Sequence, residues 1–166
     1  MSVTDVSKDP ERLTMTVTAQ YDVSADRAWQ LWADPRQLER WWGPPSYPAT
    51  VEEHDLRPGG RVTYYMTGPE GDQPRGLWHV VEAQPPRLLV VEDSFADETW
   101  TPNPEMPTTA MRVEITDRDG GGVTMTITST FPSAEAMEQL VAMGMEEGIK
   151  EALAQIDALL AEAPAR

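Results

Sequence analysis

Residues 131–160 read FPSAEAMEQLVAMGMEEGIKEALAQIDALL, and their periodicity decides how the rest of the chain has to pack. Ser133 starts a helix that the pattern predicts as one continuous rod to about Ala161. Its apolar positions, among them Met137, Leu140, Val141, Met145, Ile149, Leu153, Ile156 and Leu160, recur at helical spacing. Glu138, Glu146, Glu147, Glu151 and Asp157 occupy the opposite face. Two glycines, Gly144 and Gly148, stand one turn apart on the apolar stripe. Each costs about 1 kcal/mol against Ala in a helix interior, so the spacing points to close backbone approach or to space kept open.

Everything before that stretch is built mostly from strands. Arg12 to Tyr21 alternates Leu13, Met15, Val17, Ala19 and Tyr21 with polar residues, the period of a half-buried strand. Ser24 is a good N-cap for a short helix over Ala25 to Ala33. Pro35 interrupts it, and Arg36 to Trp42 forms a second short helix ending at Gly43-Pro44-Pro45. Strands are predicted over Ala49 to Leu56, Arg61 to Thr67, Gly76 to Ala83, Arg87 to Phe95, Thr109 to Asp117 and Gly122 to Phe131. Their separators carry turn chemistry, such as Pro58-Gly59-Gly60 and Asp119-Gly120-Gly121. Met1 to Pro10 is polar and is expected to be a flexible tail, with one domain from 11 to 163. Consecutive strands on short turns make an antiparallel sheet, and the terminal helix is the element large enough to cover it. The class is α+β.

Composition narrows the function. The 166 residues carry 13 Lys plus Arg against 28 Asp plus Glu, a net charge of −15. That field repels nucleic-acid phosphates and anionic headgroups, so neither nucleic acid nor a membrane surface is an expected partner. The longest plainly aliphatic run, Leu88 to Val91, is far short of the roughly 20 residues a spanning helix needs. Zero Cys removes disulfides, thiolate nucleophiles and every Cys-containing metal site, and it suits a reducing cytoplasm. No signal-peptide pattern is visible in Met1 to Met15. The phosphate-binding, dinucleotide, zincin, nucleophile-elbow and calcium-loop motifs are all missing, so no cofactor and no metal are expected.

The words ADRAWQLWADPRQLERWWGPP at 25–45, DLRPGGRVTYYMTGP at 55–69 and GLWHVVEAQPPRLLVVE at 76–92, followed by the stretch at 131–160, carry a resemblance. In that order they resemble the SRPBCC (START-like) helix-grip superfamily, and within it the branch named after the activator of the heat-shock-protein-90 ATPase. The likeness spans nearly the whole chain. It implies a helix-grip fold: a curved antiparallel sheet around a long C-terminal helix, with two short helices after the first strand. It further implies a cavity between sheet and helix, of the kind relatives use for lipids, hormones and polyketides.

Given such a cavity, Tyr64, Trp78, Met111, Met125, Met137, Val141 and Met145 are expected to line it, with Trp41 joining them. Unbranched thioethers suit a wall that adapts to varied guests. Trp41 and Trp42 are adjacent, so one is expected inside and the other at an opening or a partner surface, which keeps a homodimer open. Tyr64 shares a strand face with Val62 and Met66. Of Trp78 and His79, bulk favours Trp78 inside. His54 lies in Glu52-Glu53-His54-Asp55, where strand alternation leaves one His and one carboxylate per face, too few for a zinc site. Asp93 shares a face with Leu89, Val91 and Phe95; buried there it would titrate high, although solvation at the strand end is the expected state. The loop from Ala96 to Pro107 reads as a lid or as a decoration on the sheet rim. The function expected is binding of a small hydrophobic molecule. A polyketide cyclase or aromatase is the enzymatic alternative, and a chaperone-associated interaction module the other.

Overall fold

A computed structural model describes residues 3–162. Eight strands form one antiparallel sheet: β1 (Val3–Asp9), β2 (Thr14–Tyr21), β3 (Ala49–His54), β4 (Arg61–Met66), β5 (Arg75–Gln84), β6 (Leu88–Ala96), β7 (Thr109–Asp117) and β8 (Val123–Thr130). Their order is β1-β2-β8-β7-β6-β5-β4-β3. Helices α1 (Ala25–Ala33) and α2 (Pro35–Trp41) follow β2, and α3 (Ala134–Ala142), α4 (Met145–Ala154) and α5 (Ile156–Ala161) follow β8. The curved sheet and the C-terminal helical segment make the helix-grip architecture.

The period-two pattern translates directly into burial. Along β2, Met15, Val17, Ala19 and Tyr21 are buried, as are Val123, Met125, Ile127 and Ser129 along β8. Ser24 caps α1 by accepting a hydrogen bond from Arg27 N at 3.1 Å, and Ser133 caps α3 by accepting one from Ala136 N at 3.0 Å. Helices α1, α2 and α5 close one end of the concave face. Trp32 sits at the centre of that plug, its ring 4.7 Å from Trp41 and 5.9 Å from both Trp42 and Trp78.

Two expectations need correction. Most of the supposed flexible tail is β1, the edge strand beside β2; residues 1–2 of it, like residue 163 at the expected domain end, lie outside the described residues. Its two valines are three apart and do not alternate, which hid the strand. A register shift between Val3 and Asp5 adds the extra residue that lets Val3 and Val6 both pack on the core. Lys8 Nζ then reaches Glu146 Oε1 at 2.7 Å and ties the strand to α4.

The C-terminal helix is also not one rod. Gly144 adopts φ +92°, a left-handed conformation that ends α3 and starts α4. A second break falls at Gln155, whose Nε2 donates to the Gly43 carbonyl at 2.6 Å and so fastens the helix to the turn after α2.

Candidate functional site

Beneath α3 and α4 the sheet is not filled. A cavity of about 370 Å³ lies there, within the size range of small-molecule pockets. Its floor comes from Met15 and Val17 on β2, Tyr64 and Met66 on β4, Asp93 and Phe95 on β6, Met111 on β7, and Ile127 and Ser129 on β8. Its roof is Leu140, Met143, Gly144, Met145, Gly148, Ile149 and Ala152, and Trp42 with Gly43 and Pro44 forms one end.

The two helix glycines belong to this roof, and a Cβ built on either meets no atom within 4 Å. Of the two readings of their spacing, space kept open is the one realised.

One end of the cavity is polar. Gly76 on β5 pairs with Tyr64 on β4, and a Cβ at Gly76 would collide with the Tyr64 ring. The bare glycine therefore lets Tyr64 lie across β5 and bring its hydroxyl to Asp93 on β6, where it donates to Oδ1 at 3.3 Å. Burial pushes the Asp93 carboxyl up to about 7, partly offset by that hydrogen bond. Asp93 retains some exposure, and its place in the wall makes the cavity the route by which solvent reaches it. The Tyr64 hydroxyl is held well above its usual range, first by burial and then by the neighbouring Asp93. The indole N–H groups of Trp42 and Trp78 pull the other way, yet neither completes a hydrogen bond to it. A buried donor left without an acceptor costs about 1–3 kcal/mol.

The expected site residues divide. Tyr64, Met111 and Met145 stand in the wall together. Trp41, Trp78, Met125, Met137 and Val141 do not. Trp78 is fully buried and backs Trp42 edge-on at 4.9 Å. Met125 lies under the Trp32 indole, whose Nε1 donates to its Sδ at 3.3 Å. Met137 is buried outside the wall, and Val141 is half-buried. Trp41 is anchored in the plug, donating from Nε1 to the Leu31 carbonyl at 2.9 Å.

The tryptophan pair was expected to split, but both rings face inward. Trp41 is the last residue of α2 and Trp42 its cap, so the chain turns between them. Gly43 follows directly, where a Cβ would strike the Tyr47 carbonyl, so the next turn needs glycine. Solvation of Asp93 at a strand end is likewise overturned, since β6 continues to Ala96 and α3–α4 roofs it. Its face was readable from the sequence; its depth was not.

The remaining candidates fall outside the cavity. His79 and Glu92, which pair across β5 and β6, are exposed. His54 Nε2 lies 2.9 Å from the Trp32 carbonyl. Among the described residues no group of three or more His, Asp or Glu could hold a metal ion. The loop after β6 packs on the rim: Trp100 covers the Arg75 guanidinium at 4.7 Å, and Ala96 bridges to Pro102. Among the described large apolar residues, those well exposed are Val81 and Met143, too few and too scattered for a docking patch. No described helix is long and apolar enough to cross a membrane.

A curved sheet gripping a broken C-terminal helix over a mainly apolar void defines a helix-grip protein of the SRPBCC superfamily. More narrowly, the chain belongs to the family of Activator of Hsp90 ATPase homolog 1-like proteins, whose family model matches residues 22–161. It is similar to protein Ms6760 from Mycobacterium smegmatis, with 48% identity, a TM-score of 0.88 and coverage of 98% of this chain and 99% of that one. It is also similar to a protein from Arthrobacter aurescens, with 46% identity, a TM-score of 0.91 and coverage of 99% and 95%. CalU16 from Micromonospora echinospora shares the fold alone, at 18% identity and a TM-score of 0.58 over 89% of this chain and 76% of that one. No functionally curated protein matches.

Proposed function

We propose that this protein binds a small hydrophobic molecule, lipid- or polyketide-like, between the sheet and α3–α4, in the cytoplasm that its cysteine-free sequence suits. The observation that carries this reading is the roofed, mainly apolar cavity, with Gly144 and Gly148 in its roof. A flat three-ring guest offers roughly 300 Å² of apolar surface, worth ~7 kcal/mol gross at about 25 cal/mol per Å². That gross figure corresponds to a Kd of about 10 μM, and losses of translational freedom and side-chain mobility weaken it, so an affinity between about 10 μM and about 1 mM is the expected scale.

Native mass spectrometry of the protein purified from its own host tests the reading. A co-purifying small molecule is expected, and Gly148→Trp, which fills the void from the roof, should lose it. Absence of any adduct from the native protein, together with failure to take up any member of a lipid and polyketide panel, would contradict it.

The cyclase or aromatase alternative draws support from Asp93, a carboxyl in the wall titrating at about 7 beside a phenol. That reading expects turnover of a captured polyketone, abolished in Asp93→Asn. The interaction-module alternative expects a filled interior and a broad exposed apolar surface, and the geometry favours neither.

A further inference from the structure

The polar end of the cavity contains two groups whose hydrogen bonding is incomplete. The Tyr64–Asp93 contact is 3.3 Å, long for an O–H···O pair. Behind the Tyr64 oxygen stand the Trp42 and Trp78 N–H groups, both buried and unpartnered. With donors on that side, the Tyr64 proton is directed away from the tryptophans, toward Asp93 or toward a guest. Arg75 is the other charged group in the wall, and its guanidinium is engaged by Trp100 at the rim. Facing Asp93 from β7 is Thr109, and the nearby roof residues Leu140, Met145 and Ile149 carry no charge.

We infer that the guest is an apolar ring system bearing a carbonyl oxygen, which docks at this end and accepts hydrogen bonds from the Tyr64 hydroxyl and the protonated Asp93 carboxyl. The inference rests on the binding reading above and specifies its ligand. Two donors at this end, with the Arg75 cation stacked on Trp100 at the rim, favour a neutral carbonyl oxygen over a carboxylate or phosphate. Ionisation of Asp93 removes one donor and recaptures the other, because a carboxylate accepts the Tyr64 proton. Carbonyl recognition therefore weakens as the pH rises through the Asp93 value of about 7.

Fluorene and 9-fluorenone form a matched pair of probes that differ in the carbonyl. Equilibrium dialysis, quantified by chromatography, measures both at about pH 5.5 and about pH 8.5, on either side of that value. Hydrophobicity alone favours the hydrocarbon. The expected result is a ketone preference of about tenfold at the lower pH, the ratio one net hydrogen bond supplies, falling below about threefold at the higher. Tyr64→Phe and Asp93→Leu should lose the preference while still binding fluorene. Asp93→Asn, an amide donor at every pH, should keep it and remove its pH dependence. Equal binding of the two probes by the native protein at the lower pH, or a preference that grows with pH, overturns the inference and leaves the cavity reading standing. Binding of neither probe overturns both.

Discussion

Asp93 stands on the cavity face of β6 in step with Leu89, Val91 and Phe95, a register visible in the sequence alone. Its environment has a thermodynamic consequence. The folded chain holds this proton to about 7 against a reference of 3.8, so it binds the proton more tightly than the unfolded chain does. Stability is unaffected below the reference value, falls as pH rises through the window between the two, and stays lowered above it. The loss is of the order of a few kcal/mol, reduced by water that enters the cavity. Asp93→Asn should therefore gain stability over the native protein between about pH 4 and about pH 8, read from urea midpoints at each pH. Parallel curves for the two proteins would contradict the assigned burial. Other residues were less legible. Trp41 and Trp42 could not be assigned by alternation because the backbone turns between them. Met125 and Met137 resemble Met111 and Met145 in type and periodicity, and packing separates them: Met125 lies against Trp32 and Met137 is buried outside the wall.

At the scale of elements, the two roof glycines make opposite predictions. Gly148 has ordinary helical geometry with open space beside it, so Gly148→Ala should raise stability by about 1 kcal/mol through helix propensity. Gly144 has equal space but φ +92°, so Gly144→Ala should lower stability by about 1 kcal/mol through strain. Thermal melts of both variants decide this, and destabilisation of equal size would mean that both sites are tight. The break at Gly144 escaped the sequence reading because the apolar spacing runs through it from Leu140 to Ile149 without a slip. Strand β1 escaped for the converse reason: its bulge spaces Val3 and Val6 like helix positions. The other seven strands were readable because turn residues separate most of them and β2, β7 and β8 alternate throughout, even though β4 and β5 each bury three consecutive residues.

For the whole molecule, the architecture follows from imbalance between the layers. Among the described residues, eight strands face five short helices and about 370 Å³ between the layers stays unfilled. Helices α1, α2 and α5 pack one end solidly with tryptophan, and α3–α4 bridges the other. That division was not in the pattern of any single element, because it depends on where the tryptophans and the Gly144 break place the helices over the sheet. The methionines report on it. Met15, Met66, Met111 and Met145 face the cavity, whereas Met125 and Met137 lie in packed core. Methyl spectra of the protein labelled at methionine, titrated with the neutral apolar probe N-phenyl-1-naphthylamine, therefore test the hollow interior directly. The expected result is saturable shifts of the first four methyls, with contacts from probe protons to Met111 and Met145. No shift of these four methyls at saturation of the probe's solubility would show that the space under α3–α4 admits no guest.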